Sequence, residues 1–310
     1  MRTCVIYNPS AGRGKARRLM ESVRRAFPGD TVLSPTAGPG DAIHLATEAG
    51  RSGYDRVAAA GGDGTVHEVA RGLLASGNAD VLFSTIPVGS MNDYAHTLGM
   101  LTWCQRGMTE SLDSIRADVG IVRAPGRERF FVNGCGVGFN GLVTVEAGKI
   151  RSLRGLPLYG LAFLRAMVLH FAKPTMTIRT DGTETTRPTL AFSANLGQRE
   201  GGFPITRRAK LDDGDFETLH AADVRRWELL RYLPAMISGN LPVDHPQLGL
   251  GRSRRIGISS EANLCIHTDG EFFALPADGV RELEIELLPQ RLRVEVCPAF
   301  QYGCTAKGER

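Results

Sequence analysis

Through the first hundred residues, short apolar runs alternate with longer stretches whose apolar positions recur at helical spacing. Residues 4–7, 31–34, 57–60 and 81–86 read as strands. Between them, 15–27, 40–48 and 67–75 read as helices, the third carrying Val66, Val69, Ala70, Leu73 and Leu74 on one side. Strands that alternate with helices at this interval predict an α/β domain, a doubly wound, mostly parallel sheet. In such sheets ligands gather at the carboxyl ends of strands, and Tyr7, Ala60 and Ile86 each end a strand just before a glycine-containing loop. Beyond Gly120 the alternation stops. Short strands follow at 129–133, 176–180, 183–186, 190–195, 216–220, 255–259, 264–268, 283–288 and 292–296, and Asp181-Gly182 marks a two-residue hairpin turn. The expectation is therefore two domains, residues 1–120 and a mostly antiparallel β-sandwich over 121–310 with a helix at 224–236. A return of the C-terminal tail to the first domain stays open.

At 310 residues the chain is long enough for two cores, and 42% hydrophobic with 23% charged residues is the composition of a globular protein. A net charge of +4, with no aromatic RNA-binding run, zinc-finger spacing or long basic block, argues against a nucleic-acid partner. Six scattered cysteines without a Cys-x-x-Cys pair fit reduced thiols in a cytoplasm, and the N-terminal apolar run is too short for an export signal. The most apolar segment, 156–172, follows Lys149, Arg151 and Arg154, has Pro157 in its first turn and contains Arg165. It reads as a helix too short and too charged to span a bilayer, either packed in the core between the domains or facing lipid.

The densest chemical signal is Gly61-Gly62-Asp63-Gly64-Thr65-Val66-His67-Glu68, set between a strand and a helix. Three glycines leave backbone N–H groups uncovered at a positive helix end, a geometry suited to phosphate. Asp63 repels phosphate unless a divalent cation lies between them, which points to Mg²⁺ with a nucleoside triphosphate. The competing reading is a plain turn in which Asp63 caps its helix. Asn8-Pro9-Ser10-Ala11-Gly12-Arg13-Gly14 is a second strand–loop–helix junction; Pro9 and Ala16 exclude a P-loop, and an ordinary turn fits equally well. In Pro87-Val88-Gly89-Ser90-Met91-Asn92-Asp93, Ser90 or Asn92 caps a helix and Asp93 sits in its first turn. Asp212-Asp213-Gly214-Asp215 is a tight turn, and Thr268-Asp269-Gly270-Glu271 sets two carboxylates around a hairpin glycine, either of which could serve as a base.

Taken in order, Asn8-Pro9 with Gly12, the 61–65 loop and the 87–93 segment resemble the catalytic domain of the diacylglycerol kinase and sphingosine kinase family. Lys210 to Phe216 and Thr268 to Glu271 resemble the two carboxylate motifs of its bacterial soluble branch, so the likeness runs nearly end to end. It implies an NAD kinase-like, phosphofructokinase-like first domain. It implies ATP as phosphoryl donor, contacted by Asn8, Pro9, Ser10, Ala11, Gly12, Thr36, Gly61, Gly62, Asp63, Gly64, Thr65, Val66, His67 and Ser90. Asp63, Asp93 and Asp118 are implied to hold Mg²⁺ directly or through water, and the Lys210 main chain, Asp213 and Asp215 a second Mg²⁺. Glu271 is implied as the proton acceptor and Asp269 as its orienting partner, with the reverse assignment open.

The activity implied is transfer of the γ-phosphoryl group to a hydroxyl of a lipid alcohol, diacylglycerol first, with a sphingoid alcohol or a soluble substrate as alternatives. The Thr-Pro-Thr-Gly-Ser-type segment of NAD kinases is missing, and the intact Asp63, Asp93, Asp269 and Glu271 weigh against a non-catalytic sensor. Two positions depart from the family: His67 stands where many bacterial relatives carry Asn, which leaves the lipid open, and Asp215 where an aromatic is common. The lipid substrate implies peripheral, transient contact with the inner face of the membrane, aided by Arg151, Arg154, Arg207 and Arg208. The oligomeric state stays open, a homodimer among the options.

Overall fold

The computed structural model describes residues 1–150, 152–153, 155–242 and 245–298. The chain folds as two compact units, Met1–Asp118 together with the segment from Pro289 onward, and Val119–Leu288.

In the first unit, β1 (Arg2–Tyr7), α1 (Lys15–Ala26), β2 (Asp30–Pro35), α2 (Asp41–Arg51), β3 (Arg56–Gly61), α3 (Asp63–Ser76) and β4 (Leu82–Pro87) follow one another as the apolar spacing predicts. The strands pair in parallel in the order β2-β1-β3-β4. Val5, Ile6, Val57 to Ala60 and Phe83 are fully enclosed, which explains strands without polar alternation. Helices α2 and α3 approach backbone to backbone at Gly72, where an added Cβ would lie 2.4 Å from the Ile43 carbonyl. Two short helices, α4 (Asp93–Thr97) and α5 (Met100–Gln105), follow β4, and buried Trp103 of α5 packs on Phe27 with ring centroids 5.8 Å apart. The last described strand joins this sheet, Val294 pairing in parallel with Phe83 and buried Glu295 meeting Arg56 at 2.6 Å.

The strand β5 (Asp113–Ala124) leads into the second unit. There follow β6 (Arg127–Phe131), β7 (Gly134–Gly138), α6 (Phe139–Lys149), α7 (Leu156–Leu169), β8 (Thr175–Thr180), β9 (Thr183–Asn195), β10 (Phe216–Ala222) and α8 (Arg226–Ser238). The unit is completed by β11 (Leu248–Ser253), β12 (Arg255–Ser260), β13 (Ile266–Thr268), β14 (Glu271–Ala274) and the first half of β15 (Glu282–Val296), whose residues from Pro289 onward belong to the first unit. One layer has the order β14-β13-β7-β9-β10-β11 and is antiparallel throughout. The other runs β9-β8-β12-β15-β5-β6. Strand β9 serves both: its first half pairs with β8 across the expected hairpin, Thr180 opposite Thr183, and its second half lies between β7 and β10. Phe131 and Phe216 stack at 5.7 Å in the interior, and Gly120 makes room for the Phe131 ring, which a Cβ there would meet at 2.1 Å.

Elements α5, α6, β7 and β11 carry no clear signal in sequence. The run Gly134-Cys135-Gly136-Val137-Gly138 has no alternation, yet its glycines are sterically required. A Cβ on Gly134 would sit 2.1 Å from Asn195 Oδ1, and one on Gly136 2.2 Å from His267 Nε2. Helix α6 contains two glycines and three β-branched residues, weak helix formers that tertiary packing stabilises. The apolar helix α7 buries Phe163, Ala166 and Met167 in a cluster with Phe139 of α6 and Leu229 and Tyr232 of α8. Its opposite face is exposed. The five described cysteines are free thiols, and Cys304, Arg151 and Arg154 lie outside the described residues.

Candidate active site

In the order β2-β1-β3-β4, the chain leaves β1 and β3 in opposite lateral directions, so the loops beyond them part and form a crevice at the carboxyl edge. The Asn8 N–H donates to the Ala60 carbonyl at 3.1 Å, and its Oδ1 accepts from the Ser10 N–H at 2.9 Å. Gly12 and Gly14, with φ of 57° and 82°, then turn the chain into α1 through backbone that favours glycine. The Thr36 N–H donates to the Tyr7 carbonyl at 2.9 Å, tying the loop after β2 to the same strand end.

From β3 the chain enters α3 at Gly62, the N-cap residue, and no side chain caps this helix. Its first-turn backbone amides thus lack a side-chain cap, and amides at a positive helix end can receive an anion. Asp63 does not cap its own helix. Its Oδ2 accepts the Asn92 N–H at 2.8 Å and its Oδ1 the Asp93 N–H at 2.6 Å, so one carboxylate stitches the β3 loop to the β4 loop. Asn92, at φ 55°, supplies the left-handed step, and its side chain donates to the Gly89 carbonyl at 2.9 Å. The two loops touch glycine on glycine, since a Cβ on Gly89 would lie 2.4 Å from the Gly62 Cα.

Ser90 is exposed and Thr65, Val66 and His67 are buried, His67 to 1%. These buried residues support the loop from beneath. Asp93 and Asp118 are buried as well, and Asp118 Oδ1 accepts the Gln290 N–H at 2.8 Å. Among the described residues no three His, Cys, Asp or Glu side chains converge as a metal nest. Asp63, Asp93 and Asp118 are nonetheless carboxylates, hard oxygen donors. That suits Mg²⁺, which keeps several of its waters and needs no all-protein cage.

The 212–215 turn is an ion-pair cluster. Asp213 pairs with Arg252, Asp215 with Arg254 at 3.0 Å and Arg252 at 3.3 Å, and Arg252 also approaches Glu217 at 3.6 Å. The β10–β11 register sets Arg252 directly opposite Glu217. The guanidinium groups of Arg252 and Arg254 thus meet the charge of Asp213 and Asp215. The Lys210 side chain stands exposed nearby in sequence.

In the second unit, Asp269 and Gly270 join β13 to β14 with φ of 50° and 83°. Both left-handed values are those of a tight hairpin turn. The Asp269 carboxylate accepts three backbone N–H groups, from Val132 at 2.9 Å and from Asn133 and Gly134 at 2.8 Å each, while its own N–H donates to the Gly134 carbonyl. It is bound as an anion in a backbone nest. Glu271, opposite Thr268 in the register, is exposed. Of the two carboxylates, Asp269 holds the turn and Glu271 faces solvent.

Beneath the turn lies a network that no sequence spacing signals. His267 Nε2 meets Glu200 Oε1 at 3.1 Å, and Glu200 also accepts from Ser193 at 2.9 Å and Asn140 at 3.0 Å. Burial pushes the Glu200 carboxyl up, but its contacts with His267, Ser193 and Asn195 outweigh it and hold the pKa below the usual value. The members come from α6, β9, β13 and the loop after β9, which only folding brings together.

Both halves of the chain match known families. Residues 2–122 match the diacylglycerol kinase catalytic domain, and residues 134–296 the YegS C-terminal NAD kinase beta sandwich-like domain. The protein is a kinase, and it belongs to the diacylglycerol kinase family. Among its relatives, a diacylglycerol kinase of Bacillus subtilis (strain 168) is 27% identical over 284 residues, 87% of this chain and 90% of that protein. Another, of Staphylococcus haemolyticus (strain JCSC1435), is 28% identical over 309 residues, 96% of this chain and 88% of that protein. The crystal structure of a diacylglycerol kinase from Bacillus anthracis str. Sterne shares the fold, with a TM-score of 0.71 at 22% identity over 96% of this chain and 97% of that one. A second structure from that strain gives a TM-score of 0.75 at 25% identity over 96% and 98%.

Proposed function

We propose that this kinase transfers the γ-phosphoryl group of ATP to the hydroxyl of a lipid alcohol, diacylglycerol first. The observation that carries the ATP half is the start of α3, without a side-chain cap, inside a glycine loop whose carboxylate also binds the neighbouring loop. Asn8 to Gly12, Thr36, the 61–64 backbone and Ser90 line this crevice edge and hold the nucleotide. Asp63, Asp93 and Asp118 would hold Mg²⁺ directly or through water, and the ion would supply positive charge against the phosphates. Glu271 takes the proton of the lipid hydroxyl, and Asp269 fixes the turn that carries it.

Relatives named diacylglycerol kinase along nearly the whole chain support the lipid acceptor. His67 is buried under the loop. A diacyl substrate stays in its bilayer, and among the described residues no helix is long and apolar enough to cross one. The enzyme therefore works as a transient visitor to the cytoplasmic membrane surface. The test is incubation with γ-labelled ATP, Mg²⁺ and, in parallel, diacylglycerol, sphingosine and NAD. Label in phosphatidic acid is expected. Label in NADP alone, or in the sphingoid product alone, overturns the diacylglycerol assignment.

A further inference from the structure

Large apolar side chains left in solvent are not scattered over the described surface. Seven of the twelve belong to α7 and α8: Leu161, Leu164, Val168 and Leu169 on one helix, Trp227, Leu230 and Ile237 on the other. Their spacing is helical on each, so each helix has two apolar faces. The inner faces meet in one cluster, Phe163, Ala166 and Met167 of α7 with Leu229 and Tyr232 of α8. The outer faces are where an ordinary surface helix turns polar. Val168 and Leu169 are 63% and 58% exposed, Trp227 and Ile237 55% and 52%. The helices also join at one end, where the Arg226 guanidinium sits 5.1 Å above the Phe171 ring.

The charges among these side chains are mostly positive. Arg165 and Lys149 share the single buried carboxylate of Glu146 with His170, at 2.8, 2.6 and 3.0 Å, and both keep about half of their side chains exposed. Arg225, Arg226 and Arg231 bracket or interleave the apolar residues of α8, with Glu228 alone against them on that helix. Lys173 is paired with Asp223. Leucine, isoleucine and tryptophan interleaved with arginine on a helix that cannot span is the composition of an element lying in a membrane interface. Helix α7, at 14 residues, is roughly 21 Å long, well short of a bilayer core of about 30 Å.

We propose that the outer face of α7 and α8 is the surface on which this protein docks to an anionic phospholipid bilayer. The apolar side chains enter the acyl boundary while Arg165, Lys149, Arg226 and Arg231 meet lipid phosphates. The proposal rests on the lipid-kinase reading for its purpose but not for its test. The chain has two tryptophans, and Trp103 is buried, so a change in emission on adding vesicles reports Trp227.

The experiment mixes the full chain with vesicles of phosphatidylcholine, with and without phosphatidylglycerol, and follows co-sedimentation and tryptophan emission. A blue shift and binding that favours phosphatidylglycerol and weakens with salt are expected. Val168→Gln with Leu169→Gln should lower the partition coefficient at least about tenfold, and Arg226→Gln with Arg231→Gln should weaken binding to anionic vesicles only. Absence of wild-type binding, or unchanged binding by both double variants, overturns the proposal. So does a wild-type dimer that Val168→Gln with Leu169→Gln converts to monomer, since the face would then be a self-interface.

A short-chain, water-soluble diacylglycerol separates this claim from the kinase reading. The Val168/Leu169 variant should phosphorylate it at the wild-type rate and lose activity on vesicles. Docking without phosphorylation of either lipid leaves the docking face standing and removes the lipid kinase. Phosphorylation with variant docking unchanged does the reverse.

Discussion

Asp269 and Glu271 are two residues apart and meet opposite fates, because one accepts three backbone amides and the other faces solvent. Glu271→Gln should therefore lower lipid phosphorylation by about 10²- to 10⁴-fold with unchanged melting temperature and ATP affinity. Asp269→Asn removes charge from a satisfied nest and should cost about 2–4 kcal/mol of stability, read by denaturant titration. A stable Asp269→Asn, or an active Glu271→Gln, would reverse the roles. Asp63 follows similar logic. Either orientation of an asparagine there turns an N–H toward a backbone N–H, so Asp63→Asn should part the two loops and weaken ATP binding at least about tenfold by calorimetry. Unchanged ATP affinity would remove the stitch from the nucleotide site. The importance of Asp63 was legible in sequence from its three glycines, whereas the amides it binds, 29 and 30 residues away, were not.

Strand β7 and helix α6 form against their local preferences. Both are held by partners remote in sequence: β7 by Asn195 and His267 closing on its glycines, α6 by Arg165 and His170 reaching Glu146. Hydrogen bonds from Lys149, Arg165 and His170 hold the Glu146 carboxyl at about 2, below its ordinary 4.5. A depressed carboxyl stabilises the fold above its unfolded pKa and loses that contribution as pH falls through the folded one. The α6–α7 pair should thus weaken between about pH 4.5 and pH 2. Thermal melts across that window should show a decline that Glu146→Gln flattens, the variant starting lower at neutral pH. Parallel curves for the two proteins would mean that Glu146 contributes nothing there. Helix α7 was legible as a helix too short to span, but which of its faces would be buried was not, because both are apolar.

For the molecule as a whole, two units imply that a ligand of one need not stabilise the other equally. A nucleotide that binds only the folded first unit adds about 2.7 kcal/mol at a hundred times its dissociation constant. Hydrogen exchange should accordingly slow at 61–64 and 87–93 when Mg²⁺ and ATP are added; protection confined to 119–288 would move the nucleotide to the other unit. The parallel half of the fold was readable directly, since a strand buried on both faces and an amphipathic helix each declare themselves within about a dozen residues. So were the glycine loops and the carboxylate turns, whose residue types announce backbone geometry and charge. What the order of residues left undetermined was which groups each carboxylate meets: the neighbouring loop's amides for Asp63, three backbone amides for Asp269, arginines for Asp213 and Asp215. Those contacts depend on which amide or guanidinium arrives within hydrogen-bonding distance. For Asp269 the donors come from 135 to 137 residues away, a separation that only the folded chain closes.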